Sequence, residues 1–74
     1  MWSEGSIKIG SDIFYYWVKH YDEASVYGID EGRISKLVLK RGGETVCNFD
    51  RGWDIEPADE STAAALAILM KDYN

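Results

Sequence analysis

The sequence predicts an α+β domain: a four-stranded antiparallel sheet, built from two hairpins, closed on one face by a single C-terminal helix in the order ββββα. Three observations carry this reading. Residues 57–73 form the one stretch long and apolar enough for a substantial helix. Two short segments on either side of Gly10-Ser11 alternate in polarity with the period of strands. Gly42-Gly43 separates two further β-prone segments and is the clearest turn signal in the chain.

Met1 to Gly5 reads as a lead-in, with only Trp2 folding back onto the body. Ile7 and Ile9 then alternate with Ser6, Lys8 and Gly10. A two-residue turn at Gly10-Ser11 pairs Ile9 with Asp12 and Ile7 with Phe14. That register places Ile7, Ile9, Phe14, Tyr16 and Val18 on one face, and Lys8, Ile13, Tyr15, Trp17 and Lys19 on the other. Asp22 to Gly32 breaks the alternation and reads as a loop, anchored by Val26 and Tyr27.

In the second hairpin, Arg33 to Arg41 pairs with Glu44 to Asp50. An unbroken ladder from the Gly42-Gly43 turn sets Arg41 opposite Glu44, Leu39 opposite Val46 and Leu37 opposite Asn48 on one face. Lys40 with Thr45, Val38 with Cys47 and Lys36 with Phe49 share the other. The Leu37, Leu39, Val46 face is expected to meet the helix, because lysines interrupt its opposite. Arg51-Gly52-Trp53-Asp54 turns the chain out of the sheet, with Trp53 at the sheet's end. The helix is expected to start at Pro57, whose missing N–H costs nothing at the first helical position, and to bury Ala63, Leu66, Leu69, Met70 and Tyr73. Ile68 falls on its far side.

Seventy-four residues make one domain, near the size at which a single core is only marginally sufficient without a partner subunit. A homodimer is the expectation. Cys47 is the single cysteine, which excludes an intrachain disulfide and suits a reducing cytoplasm. It reads as a small hydrophobe within a strand. No signal peptide opens the chain, and no apolar run is long enough to span a bilayer. The expected location is cytoplasmic, away from membranes. Thirteen acidic against eight basic residues give a net charge of −5, which disfavours nucleic acid and favours a basic partner.

Two candidate surfaces follow. Asp50, Asp54, Glu56, Asp59 and Glu60 form a spaced acidic series that suits an Arg/Lys-rich groove, with Arg51 and Trp53 beside it as interface anchors. The second is the sheet face opposite the helix, where Tyr15, Trp17, Val38 and Phe49 stand beside Lys19 and Lys36. Rings interleaved with ammonium groups make either a dimer face, with lysine stems lying along the aromatics, or a stacking platform for a nucleotide or single-stranded nucleic acid. His20 near Asp22 and Glu23 reads as a surface histidine. The glycines match neither GxGxxG nor GxxxxGK[ST]. With no nucleophile–base pair and no metal set, the expectation is a non-enzymatic protein without cofactor or metal.

The stretches Tyr27-Gly28-Ile29-Asp30-Glu31-Gly32-Arg33-Ile34-Ser35-Lys36-Leu37 and Phe49-Asp50-Arg51-Gly52-Trp53-Asp54-Ile55-Glu56-Pro57 resemble short uncharacterised proteins of phages and mobile elements in Gram-positive bacteria. The resemblance covers most of the chain. It implies a small accessory protein of a bacterial cytoplasm, and raises an antidefence role in which the protein inhibits a host defence or nucleic-acid-binding protein. The leading expectation is thus an acidic interaction protein. The alternative is a small nucleotide- or single-strand-binding module using the aromatic sheet face.

Overall fold

The computed structural model describes residues 1–74 and shows an α+β fold with one antiparallel sheet of five strands, not four. The strands are β1 (Trp2–Ile9), β2 (Asp12–His20), β3 (Ile34–Arg41), β4 (Glu44–Asp50) and β5 (Trp53–Ile55). They lie in sequence order as a simple meander. The helix α1 (Glu60–Tyr73) packs across β1, β2 and β3. No helix is long and apolar enough to cross a membrane.

The first hairpin has the expected register, with Ile9 opposite Asp12 and Ile7 opposite Phe14. Gly10 takes φ 60 at the first turn position, a conformation that favours glycine. β1 nevertheless runs back to Trp2, so Met1 to Gly5 is no loose lead-in: Trp2 pairs with Lys19 and Glu4 with Trp17. Alternation hides this strand, because Trp2 stands on the face opposite Ile7 and Ile9. Gly5 belongs there because the Tyr16 ring lies against it, and a Cβ would meet the phenol oxygen at 2.8 Å.

The second hairpin turns through Gly42 and Gly43, at φ 60 and 78. Arg41 pairs with Glu44 and Lys40 with Thr45, as expected, and then the register shifts. Leu39 meets Cys47, not Val46; Val38 meets Asn48, and Leu37 meets Phe49. Val46 is the extra residue of a β-bulge. One added residue exchanges the faces of everything after it. Cys47 and Phe49, expected on the open face, therefore join Phe14, Val18, Leu37 and Leu39 in the core, at 0% and 5% exposure. Burial raises the Cys47 thiol to about 11.

Trp53 and Asp54, expected in the turn out of the sheet, instead open the fifth strand, Trp53–Ile55. It pairs Trp53 with Phe49 and Ile55 with Asn48. Three residues are too few for alternation to show.

The helix starts later than expected. Asp59 caps it, its side chain accepting the Thr62 N–H at 2.8 Å, and Pro57 lies before the cap. The buried positions are Thr62, Ala65 and Leu69, flanked by half-buried Leu66, Met70 and Tyr73; Ala63 is exposed, against expectation, and Ile68 is exposed as expected. At the other end, Asn74 ties the helix to the loop before β3. Its side chain accepts from the Ile34 N–H at 2.9 Å and donates to the Ile29 carbonyl at 3.1 Å. Ile29, fully buried, anchors that loop, whereas Val26 and Tyr27 are exposed.

Candidate functional site

Pleating sends alternate residues to opposite faces, so the face away from α1 can be read as rungs across the strands. One rung is Trp2, Lys19, Lys36 and Asp50. The next is Glu4, Trp17, Val38, Asn48 and Ile55, and the third Ser6, Tyr15, Lys40 and Thr45. Of the residues expected on this surface, Tyr15, Trp17, Lys19, Lys36 and Val38 are brought together. Phe49 is not, because of the Val46 bulge. Trp2 and Ile55 belong to the face and were missed, since both lie in strands too irregular in pattern to be read.

The rings stay open to solvent: Tyr15 is 54% exposed, Trp17 37% and Trp2 58%. The Lys40 ammonium sits 5.7 Å from the centre of the Trp17 ring, and that of Lys19 lies 5.9 Å from Trp2 and 5.6 Å from Tyr21. These are cation–π distances. The result is a face with three exposed rings, two of them beneath ammonium groups, on a chain whose net charge is −5.

The acidic series is less uniform than its spacing implies. Asp59 is engaged within the fold: beyond capping α1, it takes two hydrogen bonds from Arg41, at 2.9 and 3.4 Å. The Arg41 guanidinium, then the Thr62 N–H, hold its carboxyl well below the usual carboxylate range. Asp50 shares itself between Lys36 at 3.8 Å and Arg51 at 3.9 Å. Asp54 accepts from the Asn48 amide at 3.4 Å. Glu56 and Glu60 are exposed. Trp53 stands edge-on to Phe49, centroids 5.1 Å apart, and is 39% exposed, so it closes the core's end while showing one side to solvent. Arg51 is exposed and takes a left-handed backbone, φ 55.

A pH signature follows from Asp59. Its pKa is lower folded than unfolded, so the stabilisation is complete above the unfolded value near 3.8 and is lost as pH falls through the folded one. Thermal melts should show wild-type stability falling below about pH 4. Asp59→Asn keeps a good capping side chain but loses the charge pair. It should melt lower than wild type at pH 7 and show a shallower acid limb; equal limbs would remove Asp59 as the cause.

His20, read as a surface residue, is half-buried: Nε2 lies 3.0 Å from the Ser3 hydroxyl, and its ring stacks 4.8 Å from Tyr73. It helps seat the helix's end on the sheet.

Comparison with curated proteins and with solved structures finds no match to this chain. A family model described as a domain of unknown function, DUF7678, matches residues 1–74, and the chain belongs to that family.

Proposed function

We propose that this is a non-enzymatic interaction protein of the bacterial cytoplasm, and that its working surface is the open sheet face, where a second copy of the chain docks. The observation that supports it is the row of exposed rings Trp2, Tyr15 and Trp17, beside half-buried Val38, on a sheet whose α-helix lies on the other side. Strands about 4.8 Å apart and up to nine residues long make a face of roughly 30 by 20 Å. That is of the order of the ~800 Å² per partner that stable interfaces bury. A two-fold axis between the Trp17 and Tyr15 rungs sets Trp17 on the second copy's Tyr15 and keeps lysine from facing lysine. Such an interface has aromatic anchors of the kind that dominate stable contacts, with Glu4 and Lys40 standing beside them in the same rungs.

In the dimer, the exposed Glu56 and Glu60 are carried twice, as carboxylates for a basic partner, with Asp54 hydrogen-bonded to Asn48 beside the contact. Asp59 and Asp50 are already engaged within the chain. The likeness to short phage and mobile-element proteins supports an antidefence role, in which this surface occupies a basic site on a host protein. Charge reversal at Glu56 and Glu60 is expected to abolish such inhibition without unfolding the protein.

Native mass spectrometry tests the core of the proposal. Wild type should be a dimer, and Trp17→Asp, at an exposed position, a folded monomer. A monomeric wild type overturns it. The cations over Trp2 and Trp17 favour the second reading, a nucleotide or single strand stacked on this face. Copurified mass of that kind, lost in Trp17→Asp, would replace the dimer.

A further inference from the structure

At the end of β2 and β3, beneath residues 21–33, the sheet runs into a cavity of about 590 Å³, within the size range of small-ligand sites. Its lining draws cations from three parts of the chain: Lys19 from β2, Arg33 and Lys36 from the start of β3 and the residue before it, and Arg51 from the turn before β5. Tyr21 and Tyr27 flank them, with 47% and 64% of their surface exposed. From this convergence we propose that the cavity binds a phosphorylated ligand with a planar ring, a nucleoside phosphate, held by the four cations and stacked on a tyrosine. The proposal does not rest on dimerisation.

The charges there are arranged against the fold's own interest. Lys19 and Lys36 are direct cross-strand partners, and like charges directly opposite are destabilising. A chain with thirteen acidic residues places few of them here. Asp50 is stretched between Lys36 and Arg51 at 3.8 and 3.9 Å, and Glu23 is the only carboxylate in the lining. Arg33 donates to the Asn74 carbonyl, at 3.3 Å, and Lys19 has no carboxylate within ion-pair distance. A bound phosphate relieves this repulsion, with the arginines as forked donors. Arg51 adds a left-handed backbone at φ 55, strain of the kind that collects at binding sites.

The walls are also built in advance. The Tyr21 N–H donates to the Arg33 carbonyl at 3.1 Å, and the Tyr27 N–H to the Ser25 hydroxyl at 3.1 Å. Ser25 bonds Gly32 across the loop at 3.0 Å, and Asn74 holds the loop's far end. A preorganised site loses little freedom on binding.

Titration calorimetry at low salt, using adenosine monophosphate, inorganic phosphate and adenosine as probes, tests this. Adenosine monophosphate should bind at least about tenfold more tightly than either fragment, and raising salt should weaken it. Arg33→Gln should lower its affinity about tenfold or more. Arg51→Gly should do the same while suiting the left-handed backbone, so folding is not at issue. Lys8→Gln, on the same sheet face but outside the cavity, should change nothing. Absence of binding, or full affinity in Arg51→Gly, overturns the site. Phosphate binding as tightly as the nucleotide overturns the nucleoside assignment, as does affinity that grows with oligonucleotide length.

Discussion

Deleting Asn48 should destabilise the protein severely, whereas deleting Val46, two residues earlier in the same strand, should cost little. Val46 is the extra residue of the β4 bulge, and the pairs Lys40–Thr45 and Leu39–Cys47 stand on either side of it. Its removal joins them into an unbroken ladder with Cys47 and Phe49 still facing the helix. The cost is the half-buried Val46 side chain, about 1 kcal/mol. Asn48 is regularly paired with Val38 of β3, beyond the bulge, although its pairing with β5 shifts at Asn48/Phe49. Without it Phe49 meets Val38 and turns to solvent, or residues 44–47 turn over instead and carry Cys47 out.

Either way a core side chain is lost, at about 3 kcal/mol or more for the phenylalanine. A domain of this size has a total stability of only about 4–11 kcal/mol. Urea unfolding followed by circular dichroism measures both variants. Cys47 reports the register, since its buried thiol should resist alkylation at neutral pH in wild type and in the Val46 deletion. Equal destabilisation by the two deletions would show that the bulge does not set the faces.

Gly28→Ala should be the most damaging substitution among the loop glycines. A Cβ at Gly28 would overlap the Gly32 carbonyl and come within 3.1 Å of the Ile34 carbonyl oxygen, both of them backbone atoms with no rotamer to yield. The loop must open there, loosening buried Ile29 and the Ser25–Gly32 hydrogen bond. Overpacking of this kind costs about 1–3 kcal/mol. Gly52→Ala is the contrast: nothing lies near its Cβ and its φ is not positive, so stability should hold within about 0.5 kcal/mol. Thermal melts rank the two, and hydrogen exchange at the Ser25 and Gly32 amides locates the change. Slow exchange at both amides in Gly28→Ala would contradict the clash.

Much of the fold was legible because local chemistry dictated it. Gly10-Ser11 and Gly42-Gly43 place the turns, and hydrogen bonding in both hairpins follows from those turns for the first rungs. The Ala- and Leu-rich run 63–70 was a helix on propensity alone, although its start depended on Asp59 meeting Arg41 from β3. The site was legible in part for the same reason. Tyr15, Trp17 and Lys19 follow from the first turn's register, and Val38 and Lys36 from the alternation of β3. Phe49 did not, because a bulge leaves no mark in residue types: Thr45, Val46 and Cys47 all suit a regular strand. The cavity cations were illegible for a different reason. Lys19, Arg33 and Arg51 come from separate segments, and the turn at Arg51 is held by a hydrogen bond to the Ser35 carbonyl that no local pattern announces.

By itself, then, the sequence determined the class of fold, the turns, the helix and an aromatic, lysine-bearing strand face, because each rests on interactions among residues close in the chain. The tertiary structure alone decided which face Cys47 and Phe49 take, that Asp59 is tied to the sheet, and that four cations gather at one end of it. Those outcomes depend on pairing across the sheet, where a single extra residue reverses a strand, and on contacts between segments brought together only by folding.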